Sequence, residues 1–439
     1  MTDDDPAGDG HLLVAGGRVL RPDGTIERAD VLADRATGEV AAVGTDVADR
    51  PAERLDASGG LVMPGLVNAH SHVAMTLLRG HADDKPLDRW LREDVWPVEA
   101  ELRPADVRAG TRLGLAEMIR AGTTTVADMY FEMDEVCAAV EEAGMRALLG
   151  YGAITVGKDE AAAGAEIDET VATAERLDGR ADGRVSGMVT PHSLTTVDEA
   201  GLRRAARGAR EAGLPLHYHA NETRDEVRPY VEDGVRPLVY ARDEGLLEAG
   251  DFLAHCVHVD DAEIDALAAT GAAAVHCPAS NMKLASGAAP VQRMLDRGVT
   301  VALGTDGPAS NNDLDPFDEL RDAAMLGKVE SGDASAVAAP AAVGLATANG
   351  ADALGIDAGR IEAGRKADLA VVDLDRPHLA PAHDLVSHLA YAVRGSDVRH
   401  TVCDGRVLMR DREVLTLDVD AVVSEARERA RALVARAES

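Results

Sequence analysis

Between residues 64 and 363, short apolar runs alternate with amphipathic stretches, and few architectures accept that pattern. Candidate strands cover 66–72, 123–129, 146–154, 185–192, 214–222, 251–259, 272–278 and 300–306. Helical stretches such as 105–121, 198–212 and 260–270 separate them. Strand and helix alternating eight times over roughly 300 residues predicts a (β/α)8 barrel of the TIM type. A doubly wound open sheet is the alternative, but no G-x-G-x-x-G turn follows any of these strands.

The two ends read differently. Residues 1–63 hold short strands punctuated by turns, as in His11-Leu12-Leu13-Val14-Ala15 before Gly16-Gly17. The same pattern returns over 364–439, with strands at 368–372, 398–402 and 405–408 and a charged helix over about 420–437. Each end is too small to hold a core alone. The expectation is one small β-sandwich domain built by both termini, with the barrel, 64–363, inserted between them. An alanine-rich run at 334–342 is the one low-complexity tract.

Charge narrows the function classes. Arg plus Lys number 45 against 77 Asp plus Glu, a net charge of −32, and only five of the basic residues are lysines. That balance excludes the basic footprint a nucleic-acid binder needs. A Lys-poor, strongly acidic surface suits a protein working in high salt, where screening weakens self-repulsion. No apolar run approaches the ~20 residues of a membrane span. The acidic residues 1–5 have no apolar signal region behind them, so the expected location is the cytoplasm. Cys137, Cys256, Cys277 and Cys403 are scattered and form no C-x-x-C pair, which indicates neither a disulfide framework nor a zinc knuckle.

Polar residues of chemical interest recur at the C-terminal ends of the candidate strands, where barrels carry their chemistry. His70 and His72 end the first strand, His192 the fourth, His219 and Glu222 the fifth, His255 the sixth and Asp306 the eighth. Side chains i and i+2 of a strand share a face, so His70 and His72 can aim two imidazoles at one point. A third histidine and a carboxylate would complete a catalytic metal site that keeps a position open for water. His217 and His219 repeat the spacing. Glu222, where strand gives way to loop, favours His219 as ligand and His217 as its support. His258 and His276 read as structural.

Several runs together resemble the amidohydrolase superfamily, within its nucleobase-deaminase branch. They are Pro64-Gly65-Leu66-Val67-Asn68-Ala69-His70-Ser71-His72, Val95-Trp96-Pro97-Val98-Glu99, His219-Ala220-Asn221-Glu222-Thr223, Ala254-His255-Cys256-Val257-His258, Pro278-Ala279-Ser280-Asn281-Met282-Lys283-Leu284 and Gly304-Thr305-Asp306-Gly307-Pro308-Ala309-Ser310-Asn311-Asn312. Within that branch the runs are most similar to the deaminases of 5'-methylthioadenosine and S-adenosylhomocysteine. The resemblance implies one divalent metal, zinc or alternatively iron, on His70, His72, His219 and Asp306. It implies Glu222 as proton shuttle and His255 beside the attacking water. It further implies substrate contacts from Glu99, His192, Trp90 and Ser310, with Glu222 and Asp306 also touching substrate. A small nucleoside is the expected partner, and a homo-oligomer the expected assembly.

Two departures stand out. Many relatives place an arginine near the end of the third strand that can meet the carboxylate of S-adenosylhomocysteine; Tyr151 stands in that region here. The fourth strand holds no lysine to bridge two metals, so one metal is expected. Sibling reactions on the same scaffold are deamination of 5'-deoxyadenosine, guanine or cytosine and dehalogenation of a triazine. A non-catalytic scaffold would have eroded ligands, whereas every expected ligand is present.

Overall fold

The computed structural model describes residues 10–47 and 52–439. The acidic residues 1–5 lie outside that range. Eight strand positions pair in parallel and in chain order. They are Leu66–Ser71, Thr123–Tyr130, Arg146–Ala153, the pair Val185–Gly187 and Thr190–Pro191, His217–Ala220, Phe252–His255, Ala273–His276 and Val301–Leu303. Bridges Val189↔Leu216 and Ser193↔His219 join the fourth position to the fifth, and Ser71↔Asp306 joins the eighth to the first. The pairing therefore returns on itself. Closure between the eighth and first strands depends on Gly304, where a Cβ would lie 2.9 Å from the Cβ of His70.

All but the second of the observed strands stop earlier than the sequence pattern suggests. The fifth ends at Ala220 rather than 222, because Asn221 turns into the left-handed region at φ 51°. The sixth ends at His255 rather than 259, with His255 and Cys256 at φ 72° and 48°. Asp306 sits at φ 60° beyond the eighth strand. A non-glycine residue held there is strained, and such strain collects at functional sites.

Helices pack between the strands. Pro104–Arg120 starts with proline in its first turn, Glu199–Ala212 is capped by the Asp198 carboxylate on the Gly201 N–H, and Asp261–Thr270 by Asp260 on the Glu263 N–H. Their inward faces and the outward faces of the strands share a large apolar cluster that includes Leu115, Ile119, Val140, Leu149, Leu267 and Phe317.

Strands from both chain ends form two further sheets. One is four-stranded and contains His11–Ala15; the other is seven-stranded and pairs Gly60–Pro64 with Leu369–Asp373 in antiparallel register. Leu12, Val14 and Val31 of the first sheet share an apolar cluster with Val62, Leu369 and Val402 of the second. The helix Val419–Ala437 lies against Pro104–Arg120, where Arg436 pairs with the buried Asp106. No helix among the described residues is long and apolar enough to cross a membrane. All four cysteines are buried and unbridged.

Candidate active site

His70 is fully buried, and its environment dictates its tautomer. His217 Nδ1 lies 2.7 Å from the Phe252 carbonyl, which can only accept, so that nitrogen carries the proton. His217 Nε2 is then a lone pair and accepts from His70 Nδ1 at 2.8 Å. The His70 Nε2 lone pair is left facing the site, buried and without a hydrogen-bond partner. The same logic applies to His72, whose Nδ1 donates to the Met129 carbonyl at 2.5 Å, and to His219, whose Nδ1 donates to the His192 carbonyl at 2.8 Å. Three Nε2 lone pairs converge.

Asp306 completes the group. Its Oδ1 lies 3.4 Å from His70 Nε2 and 3.3 Å from His72 Nε2, while His72 and His219 Nε2 are 3.2 Å apart. Donor atoms held about 2.0–2.2 Å from a tetrahedral cation sit roughly 3.3–3.6 Å from one another. The spacing and the orphaned lone pairs fit a divalent metal. Oδ2 of Asp306 accepts from Ser280 at 2.6 Å and Ser310 at 2.7 Å, leaving Oδ1 to the site. Burial lowers the pKa of His70 to about 4 and that of His219 well below the usual range, so both stay neutral. Burial pushes the Asp306 carboxyl up, but the surrounding imidazoles outweigh it and hold it well below the ordinary carboxylate range.

His255 also lies close, and one ligand atom from each of His70, His219, His255 and Asp306 falls within 4.8 Å of the others. Its chemistry differs. The Asn281 amide donates to His255 Nδ1 at 2.9 Å, which places the ring proton on Nε2. That N–H faces the site and stands 3.7 Å from Glu222 Oε2. It can donate to an oxygen there but has no lone pair for a cation.

Glu222 follows the left-handed turn at Asn221, whose amide donates to the buried Glu263 at 2.8 Å. Burial, reinforced by Asp306, raises its carboxyl to about 8, so it can hold a proton at neutral pH. Ser286 donates to its Oε1 at 3.1 Å.

The expected substrate contacts fall into two groups. His192 lies beside His219 with the rings tilted by 40° and centroids 4.6 Å apart, and its Nδ1 is 2.8 Å from Thr196 Oγ1. Glu99 accepts from the Tyr130 hydroxyl at 2.7 Å, and the Tyr130 ring is 6.3 Å from that of His72. Burial raises Glu99 to about 7. His192 thus lies beside His219, and Glu99 is linked toward His72 through Tyr130. Ser310 instead turns its hydroxyl onto Asp306 and the Gly307 carbonyl. Trp90 is buried in the helix–strand core, its N–H donating to the Ala82 carbonyl at 3.1 Å. Tyr151 donates to Glu166 at 3.0 Å, and Glu166 is paired with Lys158. Ser280, Asn281 and Ser286 were not assigned roles from sequence, although the first two lie in a run that stood out there.

Comparison with known proteins identifies the family. The model of the amidohydrolase family matches residues 61–408. A 5-methylthioadenosine/S-adenosylhomocysteine deaminase of Natronomonas pharaonis is 65% identical over 97% of this chain and 99% of its own length. A 5'-deoxyadenosine deaminase of Methanosarcina mazei is 43% identical, covering 96% and 97% of the two chains. Among solved structures, an adenosine deaminase from Xanthomonas campestris with bound zinc superposes with a TM-score of 0.90 at 37% identity, over 98% of this chain and 100% of that one. Ring of parallel strands, strand-end donors and near-complete sequence coverage lead to one assignment: the chain belongs to the amidohydrolase family.

Proposed function

We propose that this protein is a metal-dependent hydrolytic deaminase of adenosine-like thionucleosides, converting 5'-methylthioadenosine to the inosine-type product and ammonia. In this reading the eight parallel strands form a (β/α)8 barrel, and the two outer sheets form a β-sandwich built from both termini. The observation that carries the reading is the convergence of three Nε2 lone pairs and Asp306 Oδ1 at 3.2–3.4 Å, with a protonatable Glu222 alongside. The names of the similar deaminases supply the substrate class.

His70, His72, His219 and Asp306 would hold one zinc ion, which as a Lewis acid makes hydroxide available at neutral pH. Asp306 Oδ1 and the His255 N–H flank the point of attack and orient the oxygen toward C6. Addition at C6 places negative charge on the purine ring. Glu222, starting from its ionised form, takes a proton from the attacking water and then delivers it to N1. A second proton passes through the same carboxyl to the C6 amine, which leaves as ammonia. Glu99 accepts from the sugar hydroxyls, and His192 contacts the bound nucleoside beside His219.

The end of the third strand bears on the choice among adenosine derivatives. Tyr151 is engaged by Glu166, and the Lys158 ammonium is already paired with that same carboxylate. This arrangement favours neutral 5' groups, as in methylthioadenosine and 5'-deoxyadenosine, over the charged tail of S-adenosylhomocysteine.

Ammonia release from purified, metal-analysed protein tests the proposal. The panel comprises methylthioadenosine, S-adenosylhomocysteine, 5'-deoxyadenosine, guanine, cytosine and a chlorotriazine. Highest kcat/KM on a neutral adenine nucleoside, with about one metal per chain, is expected. A metal-replete protein that deaminates no adenine nucleoside overturns the assignment.

A further inference from the structure

The segment after the seventh ring strand supplies none of the proposed metal donors, yet three of its side chains reach the reacting groups. Ser280 holds Asp306 Oδ2, Asn281 holds His255 Nδ1, and Ser286 holds Glu222 Oε1. All three are buried. The segment is itself anchored: the Ala279 N–H donates to the buried Glu319 at 3.2 Å, and Lys283 donates to the Ala309 carbonyl at 3.2 Å. Ser286 is fixed from both sides, its N–H on the Asn281 carbonyl at 2.9 Å and its own carbonyl accepting from His258 Nε2 at 2.7 Å.

We propose that Ser286 is a positioning residue for the Glu222 proton shuttle, an inference that rests on the deaminase reading above. Ser286 makes the only hydrogen bond to the Glu222 carboxyl among the described residues. The 3.7 Å to His255 Nε2 is too long for a second. The terminal torsion of a glutamate is broad and nearly two-fold, so an untethered carboxyl presents either oxygen to its surroundings. Donation from Ser286 occupies Oε1. Oε2, on the side facing His255, is then the oxygen that takes the proton from the attacking water and hands it to N1. The same bond keeps that oxygen within the narrow geometry proton transfer requires.

The test is a double-mutant cycle on metal-loaded enzyme with methylthioadenosine, using Ser286→Ala, Glu222→Gln and both together, with metal content and melting temperature measured for each. Ser286→Ala should retain metal and KM while kcat falls by about tenfold or more, part of the ~10²–10⁴-fold that a placed acid–base group supplies. In the Glu222→Gln background the same change should cost kcat almost nothing, because the shuttle it positions is gone. Ser286→Thr, which keeps the hydroxyl, should recover most of the loss. Multiplicative losses in the double variant, a rise in KM at constant kcat, or loss of metal from Ser286→Ala would each overturn the proposal. Wild-type protein inactive on every adenine nucleoside would instead overturn the deaminase reading and this inference with it.

Discussion

Replacing Glu222 by glutamine separates proton transfer from metal binding and from folding. The side chain is 5% exposed, and its Oε1 hydrogen bond from Ser286 can be kept by the glutamine carbonyl. Burial raises the carboxyl to about 8 from an ordinary 4.5. The folded protein therefore holds this proton more tightly than the unfolded chain. The linkage sign follows: ionising Glu222 destabilises the fold as pH rises from about 4.5 to about 8. Glutamine cannot ionise, so in metal-free protein the melting temperature of the variant at pH 8 should equal or exceed that of the wild type. Metal content should be unchanged, since the four proposed donors are intact. Turnover should fall by ~10²–10⁴-fold, which is about 2.7–5.4 kcal/mol of transition-state stabilisation. Single-turnover ammonia release, metal analysis and, after metal removal, melts on one preparation supply the three readouts. Near-normal turnover would refute the shuttle role, and loss of metal would make Glu222 a ligand.

Three further outcomes are expected. His217→Leu removes the acceptor that holds the His70 tautomer and should weaken metal affinity ~10–100-fold in chelator competition; unchanged affinity would refute the histidine relay. Glu99, raised by burial to about 7, is the stronger acceptor of sugar hydroxyls when ionised, so KM should rise as pH falls through about 7. Glu99→Gln should abolish that dependence, and a persistent one would place the titrating group elsewhere. Melting temperature should climb from low to molar salt as the Debye length shrinks from about 10 Å at 0.1 M to about 3 Å at 1 M, because the chain carries a net charge of −32. A flat profile would remove the self-repulsion argument.

Much of the scaffold was legible because its signals are local. Period-two apolar runs bounded by helical stretches mark the strands, and a His-x-His pair on one strand must share a face whatever the rest of the chain does. Asp198 and Asp260 announce their helices by the capping chemistry that starts them. Strand ends were less legible. They are set by left-handed turns at Asn221 and His255, residues with no local requirement for that conformation, and only the surrounding packing holds them there.

What the residues and the family resemblance they carry indicated is the inventory: four proposed metal donors, a carboxyl and a histidine, at or just beyond the C-terminal ends of strands. Tertiary structure decided how each one works. The His70 tautomer depends on His217, 147 positions away, and on a carbonyl of the next strand. Ser310, which the family resemblance implies as a substrate contact, turns its hydroxyl onto Asp306 and the Gly307 carbonyl in the turn after the eighth strand. The bond from Ser286 to Glu222 spans 64 residues. Hydrogen-bond direction, proton placement and carboxyl orientation arise from contacts between segments that only ring closure brings together. No pattern within a single strand or helix encodes them, because the partner atom lies on another element.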